Sequence, residues 1–136
     1  MLENRLILKD GKYEIDFEDL EKKLDDPQTS MLLLCNPHNP VGKIWDRDTL
    51  ERIGELCWKH HVLVLSDEIH CDLTAPGREY VPFASVSEKC RENSITCVAP
   101  TKAFNLAGIQ TVAVIVPDEN IRHKVNRGLN TDEVAE

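Results

Sequence analysis

Apolar residues along the chain fall into two kinds of pattern. In the first, short continuous runs are bounded by turn-forming residues. These are Met31–Cys35, Val62–Leu65, Ile95–Val98 and Thr111–Val116. Their length and bounding residues predict strands, and the unbroken run 31–35 predicts a strand buried on both faces. In the second pattern, apolar residues recur three or four apart: Phe17, Leu20 and Leu24, then Leu50, Ile53 and Cys57. That spacing predicts helices, capped by Asp16 and Asp46, with Asp19 favourable in the first turn. The first helix ends by Pro27 and the second near His60. A short helix is expected from Phe83 to Arg91, and a last one from Asp118 to about Leu129. Met1–Arg5 leads directly into a strand-like run.

Residues 36–42, Asn-Pro-His-Asn-Pro-Val-Gly, hold two prolines and a glycine. They exclude helix and central strand and force an irregular loop. A polar loop surrounds Pro76-Gly77-Arg78. The first three strands are joined through helices, which predicts parallel neighbours with right-handed crossings. Between the third and fourth strands lie only Ala99 to Gln110, without a helical pattern, which predicts an antiparallel return. The expected fold class is α/β: a mostly parallel sheet with helices on its faces and one antiparallel strand.

The chain has 136 residues, enough for one domain. Its formal net charge of -8 disfavours a nucleic-acid partner. No run approaches the ~20 apolar residues of a membrane span, and no charged-then-apolar leader opens the chain. The five cysteines are odd in number and lack C-x-x-C spacing. Reduced thiols in a cytoplasmic protein are therefore expected. No metal site is expected: His70 and Cys71 are adjacent and would point apart, and no second pair completes a tetrahedron. His60 and His61 read as helix-end residues, Trp45 and Trp58 as core or interface, and Glu14–Asp26 as a solvated helix face. The abrupt start and the end, Leu129 to Glu136, suggest a chain cut from something longer.

Ligands of open α/β sheets bind at the carboxyl ends of the strands. Three ends carry unusual polar groups here: Asn36 and Asn39, then Asp67, Glu68 and His70, then Thr101 and Lys102. An amide, a carboxylate and an amine on one rim suit an aldehyde cofactor with a basic ring nitrogen.

The stretches Asn36–Gly42, Ser66-Asp-Glu-Ile-His70 and Thr101-Lys-Ala-Phe-Asn-Leu-Ala-Gly108 occur in an order that resembles the class I/II aminotransferases of the aspartate-aminotransferase fold. Within them the chain is most similar to the cystathionine β-lyase, or C–S lyase, branch. The resemblance runs from about Leu32 to Val116. It implies pyridoxal 5'-phosphate (PLP) as cofactor and an amino acid as substrate. It implies Lys102 as the catalytic Schiff-base lysine and proton shuttle, Asp67 paired with the pyridine nitrogen, and Asn39 bonded to the phenolic oxygen. His70 stands where many aminotransferases place a tyrosine, and Thr101 offers a hydroxyl beside the lysine. Ala99 and Gln110 depart from the serine and arginine that hold phosphate in many members. On this reading residues 1–136 are part of the large, cofactor-binding domain of an enzyme that is a homodimer at full length. The upstream segment and the smaller domain are absent, so the isolated chain is expected to be inactive. The rival reading is a truncated, non-catalytic α/β domain held together by self-association.

Overall fold

The computed structural model describes residues 1–131. The closing stretch 129–136 considered above lies partly outside them. The chain opens with a hairpin, β1 (Ile7–Lys9) and β2 (Lys12–Glu14), paired antiparallel. Asp10 and Gly11 join the strands, both at positive φ (49° and 73°). Such a two-residue turn matches the twist of a hairpin, and glycine takes that conformation without steric cost. The second strand of this hairpin and its separation from the main sheet are additions to the sequence-based expectation.

Helix α1 (Phe17–Leu24) is capped by Asp16, whose side chain accepts from the Asp19 N–H at 3.0 Å. Helix α2 (Arg47–Lys59) is capped by Asp46 in the same way, from Thr49 N–H at 2.8 Å. The main sheet holds β3 (Met31–Cys35), β4 (Leu63–Asp67), β5 (Ser94–Val98) and β6 (Ala113–Ile115), in that order. The first three are parallel and β6 is antiparallel to β5, as the connection lengths predict. The helix expected over 83–91 is broken: a 3-10 turn, Phe83–Ser85, precedes α3 (Glu88–Glu92). Ser87 resets the chain between them by capping α3 through Cys90 N–H. The link to β6, expected without helix, holds a single turn α4 (Pro100–Ala103) and a 3-10 turn, Ala107–Ile109. The last helix, α5, runs Glu119–Thr131 behind the Asp118 cap.

The sheet is covered unequally. Leu34, Val64, Ser66, Ser94 and Thr96 share one face by strand register and are all buried. Leu20 and Leu24 of α1, Leu50, Ile53 and Cys57 of α2, Phe83 and Cys90 join that face in one core. Gly54 lets α2 and α3 meet closely: a Cβ there would stand 2.2 Å from Cys90 Sγ. The opposite face carries Met31, Leu33, Cys35, Leu65 and Asp67, and Leu33 is 63% exposed. The strand expected to be buried on both faces is thus buried on one. Strand β6 is exposed at all three residues. No helix among the described residues is long and apolar enough to cross a membrane.

Candidate active site at the carboxyl rim

Strands β3, β4 and β5 end level with one another. Cys35 lies beside Asp67, and Asp67 beside Cys97, so the three side chains point to the open face. Backbone bonds extend past the strand ends: Asn36 N–H donates to Asp67 O at 2.9 Å, and Glu68 N–H to Cys97 O at 2.8 Å. Asp67 is half-buried and accepts one bond, from Ile69 N–H to Oδ1 at 3.3 Å. Burial raises the Cys97 thiol pKa above its ordinary value, with Asp67 and Glu68 adding to the effect.

The loop after β3 folds over the Cys35 thiol, which accepts from Asn39 N–H at 3.5 Å and donates to Pro37 O at 3.3 Å. His38 and Lys43 form a bridge across it, and Gly42 turns the chain at φ 67°. Trp45 anchors the far side: it is 2% exposed, and its indole N–H donates to Cys35 O at 3.0 Å. Asn39 stays exposed, whereas Asn36 is wholly buried and donates from Nδ2 to Val81 O at 3.0 Å.

Asn39 and His70 line one cleft of about 830 Å³, walled by the β1–β2 turn, Trp45 and the loop around Arg78. Asp67, Thr101 and Lys102 are not among its lining residues. Thr101 and Lys102 sit in α4, which follows β5 directly; Thr101 is half-buried and Lys102 exposed. Among the described residues Lys102 makes no ion pair and no side-chain hydrogen bond. His70 is half-buried, with Nδ1 enclosed and without a hydrogen-bond partner.

One rim residue carries more structure than its sequence position suggests. Glu68 is 1% exposed. Its Oε1 accepts from Ser66 Oγ at 2.7 Å and from Phe83 N–H at 3.0 Å, and its Oε2 accepts from the Tyr80 hydroxyl. Burial pushes this carboxyl's pKa above the ordinary range, against the pull of the Ser66 and Phe83 hydrogen bonds. The signal was present in the alternation Val64, Ser66, Glu68: period two sends all three inward.

The family model for aminotransferase class I and II matches residues 7–131. The chain is 52% identical over 129 residues to cystathionine β-lyase PatB of Bacillus subtilis, covering 95% of this chain and 33% of that protein. Among solved structures it is similar to cystalysin from Treponema denticola, which contains pyridoxal 5'-phosphate. There the TM-score is 0.86 at 43% identity, over 90% of this chain and 31% of the other. It is also similar to the PLP-bound C–S lyase from Staphylococcus hominis, with TM-score 0.82 and 35% identity, over 91% and 32% of the two chains. The chain therefore spans about a third of the length of the curated relative PatB (33%).

Proposed function

The chain belongs to the class I and II aminotransferase family, and from that premise we propose that it is the cofactor-binding part of a PLP-dependent enzyme acting on amino acids. The reaction is C–S β-elimination from a cysteine-type substrate or transamination. The 52% identity to a cystathionine β-lyase supports the first. The observation that carries the reading is the level ending of β3, β4 and β5, with one of the three motifs at or just after each end.

The residues present fit the cofactor on their own chemistry. Asp67 uses Oδ1 on Ile69 N–H, which leaves Oδ2 to meet a ring nitrogen. His70 brings an imidazole whose enclosed Nδ1 lacks a partner. When bound, the cofactor would supply an electrophilic aldehyde and a ring that takes up electrons released at the substrate Cα. The amine of Lys102 would hold the cofactor covalently and move the proton on and off Cα. Asp67 would keep the ring nitrogen protonated, so that the ring draws electrons. Asn39 would donate its amide to the phenolic oxygen, with His70 beside it. Thr101 would offer its hydroxyl to the phosphate. Residues 1–136 would then be part of the large domain, with the remainder of the enzyme and a homodimer partner completing the site. The five free cysteines suit a reducing, cytoplasmic setting.

Borohydride reduction after PLP addition, followed by peptide mass mapping, tests this reading. The adduct is expected on Lys102 in preference to the other lysines, and to vanish in Lys102→Ala. An adduct spread evenly over surface lysines would refute it. A second reading, a non-catalytic domain that self-associates, is favoured by exposed Val114 and Ile115 on the edge strand β6 and Val112 just before it. Light scattering decides it: concentration-dependent mass without selective labelling of Lys102 supports that reading.

A further inference from the structure

We infer that Glu68 is a positioning residue, whose buried carboxylate fixes the turn that aims Asp67 and His70. The inference rests on the proposed function of the rim, and it concerns how this chain's own residues are held. Five bonds converge on Glu68. Its N–H ties it to β5 through Cys97 O at 2.8 Å, and its carbonyl accepts from Cys71 N–H at 3.0 Å. Its side chain takes the bonds from Ser66, Tyr80 and Phe83. The bond from Cys71 closes a four-residue turn, Glu68–Cys71, with Ile69 and His70 at its centre. Within that turn Ile69 N–H donates to Asp67 Oδ1.

Beyond the β4 register that points Asp67 to the open face, neither functional side chain has much else to orient it. Among the described residues the His70 imidazole makes no hydrogen bond, so its direction is inherited from the turn backbone. Among the same residues the Asp67 carboxylate accepts only the bond from Ile69, itself a turn residue. The chain from Ile69 to Pro82 leaves the rim and returns at Phe83. The carboxylate of Glu68 grips its returning end at Tyr80 and Phe83, while Asn36 Nδ2 grips Val81 O. Removing the carboxylate would leave the buried Ser66 hydroxyl and Phe83 N–H without their acceptor, take the partner from the half-buried Tyr80 hydroxyl, and leave a turn without its clamp.

The test compares Glu68→Ala, Glu68→Gln, Tyr80→Phe and, as a control in the helix layer, Leu24→Ala, all in the full chain. Three quantities are read: the unfolding temperature, the His70 ring resonances by NMR without cofactor, and the PLP dissociation constant by tryptophan fluorescence. Glu68→Ala should move the His70 resonances and weaken PLP binding by about tenfold or more. Glu68→Gln should restore most of both, since the amide oxygen still accepts from Ser66 and Phe83. Tyr80→Phe, which deletes one hydroxyl, should fall between. Leu24→Ala should lower the unfolding temperature and leave the other two readouts in place. The inference is overturned if Glu68→Ala leaves the His70 signals unmoved, or if Leu24→Ala displaces them as far. Should the unaltered chain take up no PLP, that result bears on the functional reading alone, and the His70 resonances still decide the positioning role.

Discussion

The two flanks of the carboxyl rim are built differently. On the β3–β4 side, side chains tie loop to strand: Trp45 to Cys35, Asn36 to Val81, Glu68 to Ser66, Tyr80 and Phe83. On the β5–β6 side, the connection 99–112 is held by local backbone bonds such as Phe104 N–H to Pro100 O and Leu106 N–H to Thr101 O, and residues 113–115 by the backbone ladder to β5. Among the described residues no side-chain hydrogen bond involves that stretch. It also exposes Phe104 (67%), Leu106, Ile109, Val112, Val114 and Ile115. The flank that carries Lys102 thus has little tertiary support within this chain, while the flank that carries Asn39, Asp67 and His70 is nearly self-sufficient. The cofactor site proposed above, assembled from both, would call for further surface packed against the weaker one.

The contrast can be broken most sharply at Trp45. Trp45→Ala removes a buried ring and its bond to Cys35, and should cost about 3–5 kcal/mol in urea unfolding. A loss below ~1 kcal/mol would mean that the tied flank is no firmer than the open one. Gly54→Ala probes the helix layer beneath the same flank. The added Cβ meets Cys90 Sγ at 2.2 Å, so a loss of about 1–3 kcal/mol is expected from overpacking. Cys90→Ala in the Gly54→Ala background should recover part of it; no recovery would place the strain elsewhere.

Glu68 supplies a pH signature for the tied flank. Its folded pKa is raised above its ordinary value of 4.5, chiefly by burial and to a smaller extent by Asp67. The stability it contributes is therefore complete below pH 4.5 and falls as pH rises through the folded value. Glu68→Gln should flatten that decline in denaturation curves measured from pH 4 upward; an unchanged slope would remove Glu68 as its source. The smallest effect belongs to the open flank. Phe104→Ala should change unfolding free energy by less than about 0.5 kcal/mol, because the ring is already 67% exposed. A larger loss would show that residues 99–115 are covered in solution, as self-association would do.

Much of this was legible in the chain. Asp16 and Asp46 announce their helices because a carboxylate ahead of an apolar helical series has unsatisfied N–H groups to accept from. The link from Ala99 to Gln110 reveals the antiparallel β6 because a parallel return needs a longer crossover. Asn39, Asp67, His70, Thr101 and Lys102 stand out as polar groups where apolar strands stop. The β1–β2 hairpin was legible too, in Asp10-Gly11 between two short runs, but its strands are too short to stand out from the pattern around them. The break at Ser87 was hidden inside an apparently helical stretch.

The sequence by itself determined the four main strands and the longer helices, their order, and the three polar strand ends. These follow from local periodicity and turn chemistry, which act over a few residues. Only the tertiary structure decided that one sheet face is closed and the other open. It also decided that Asn36 is buried while Asn39 is exposed, and that Glu68 rather than Asp67 is the enclosed acid. Those outcomes depend on what packs against each side of a strand. Adjacent residues on a strand point to opposite faces, and neighbours distant in sequence settle which face is dry.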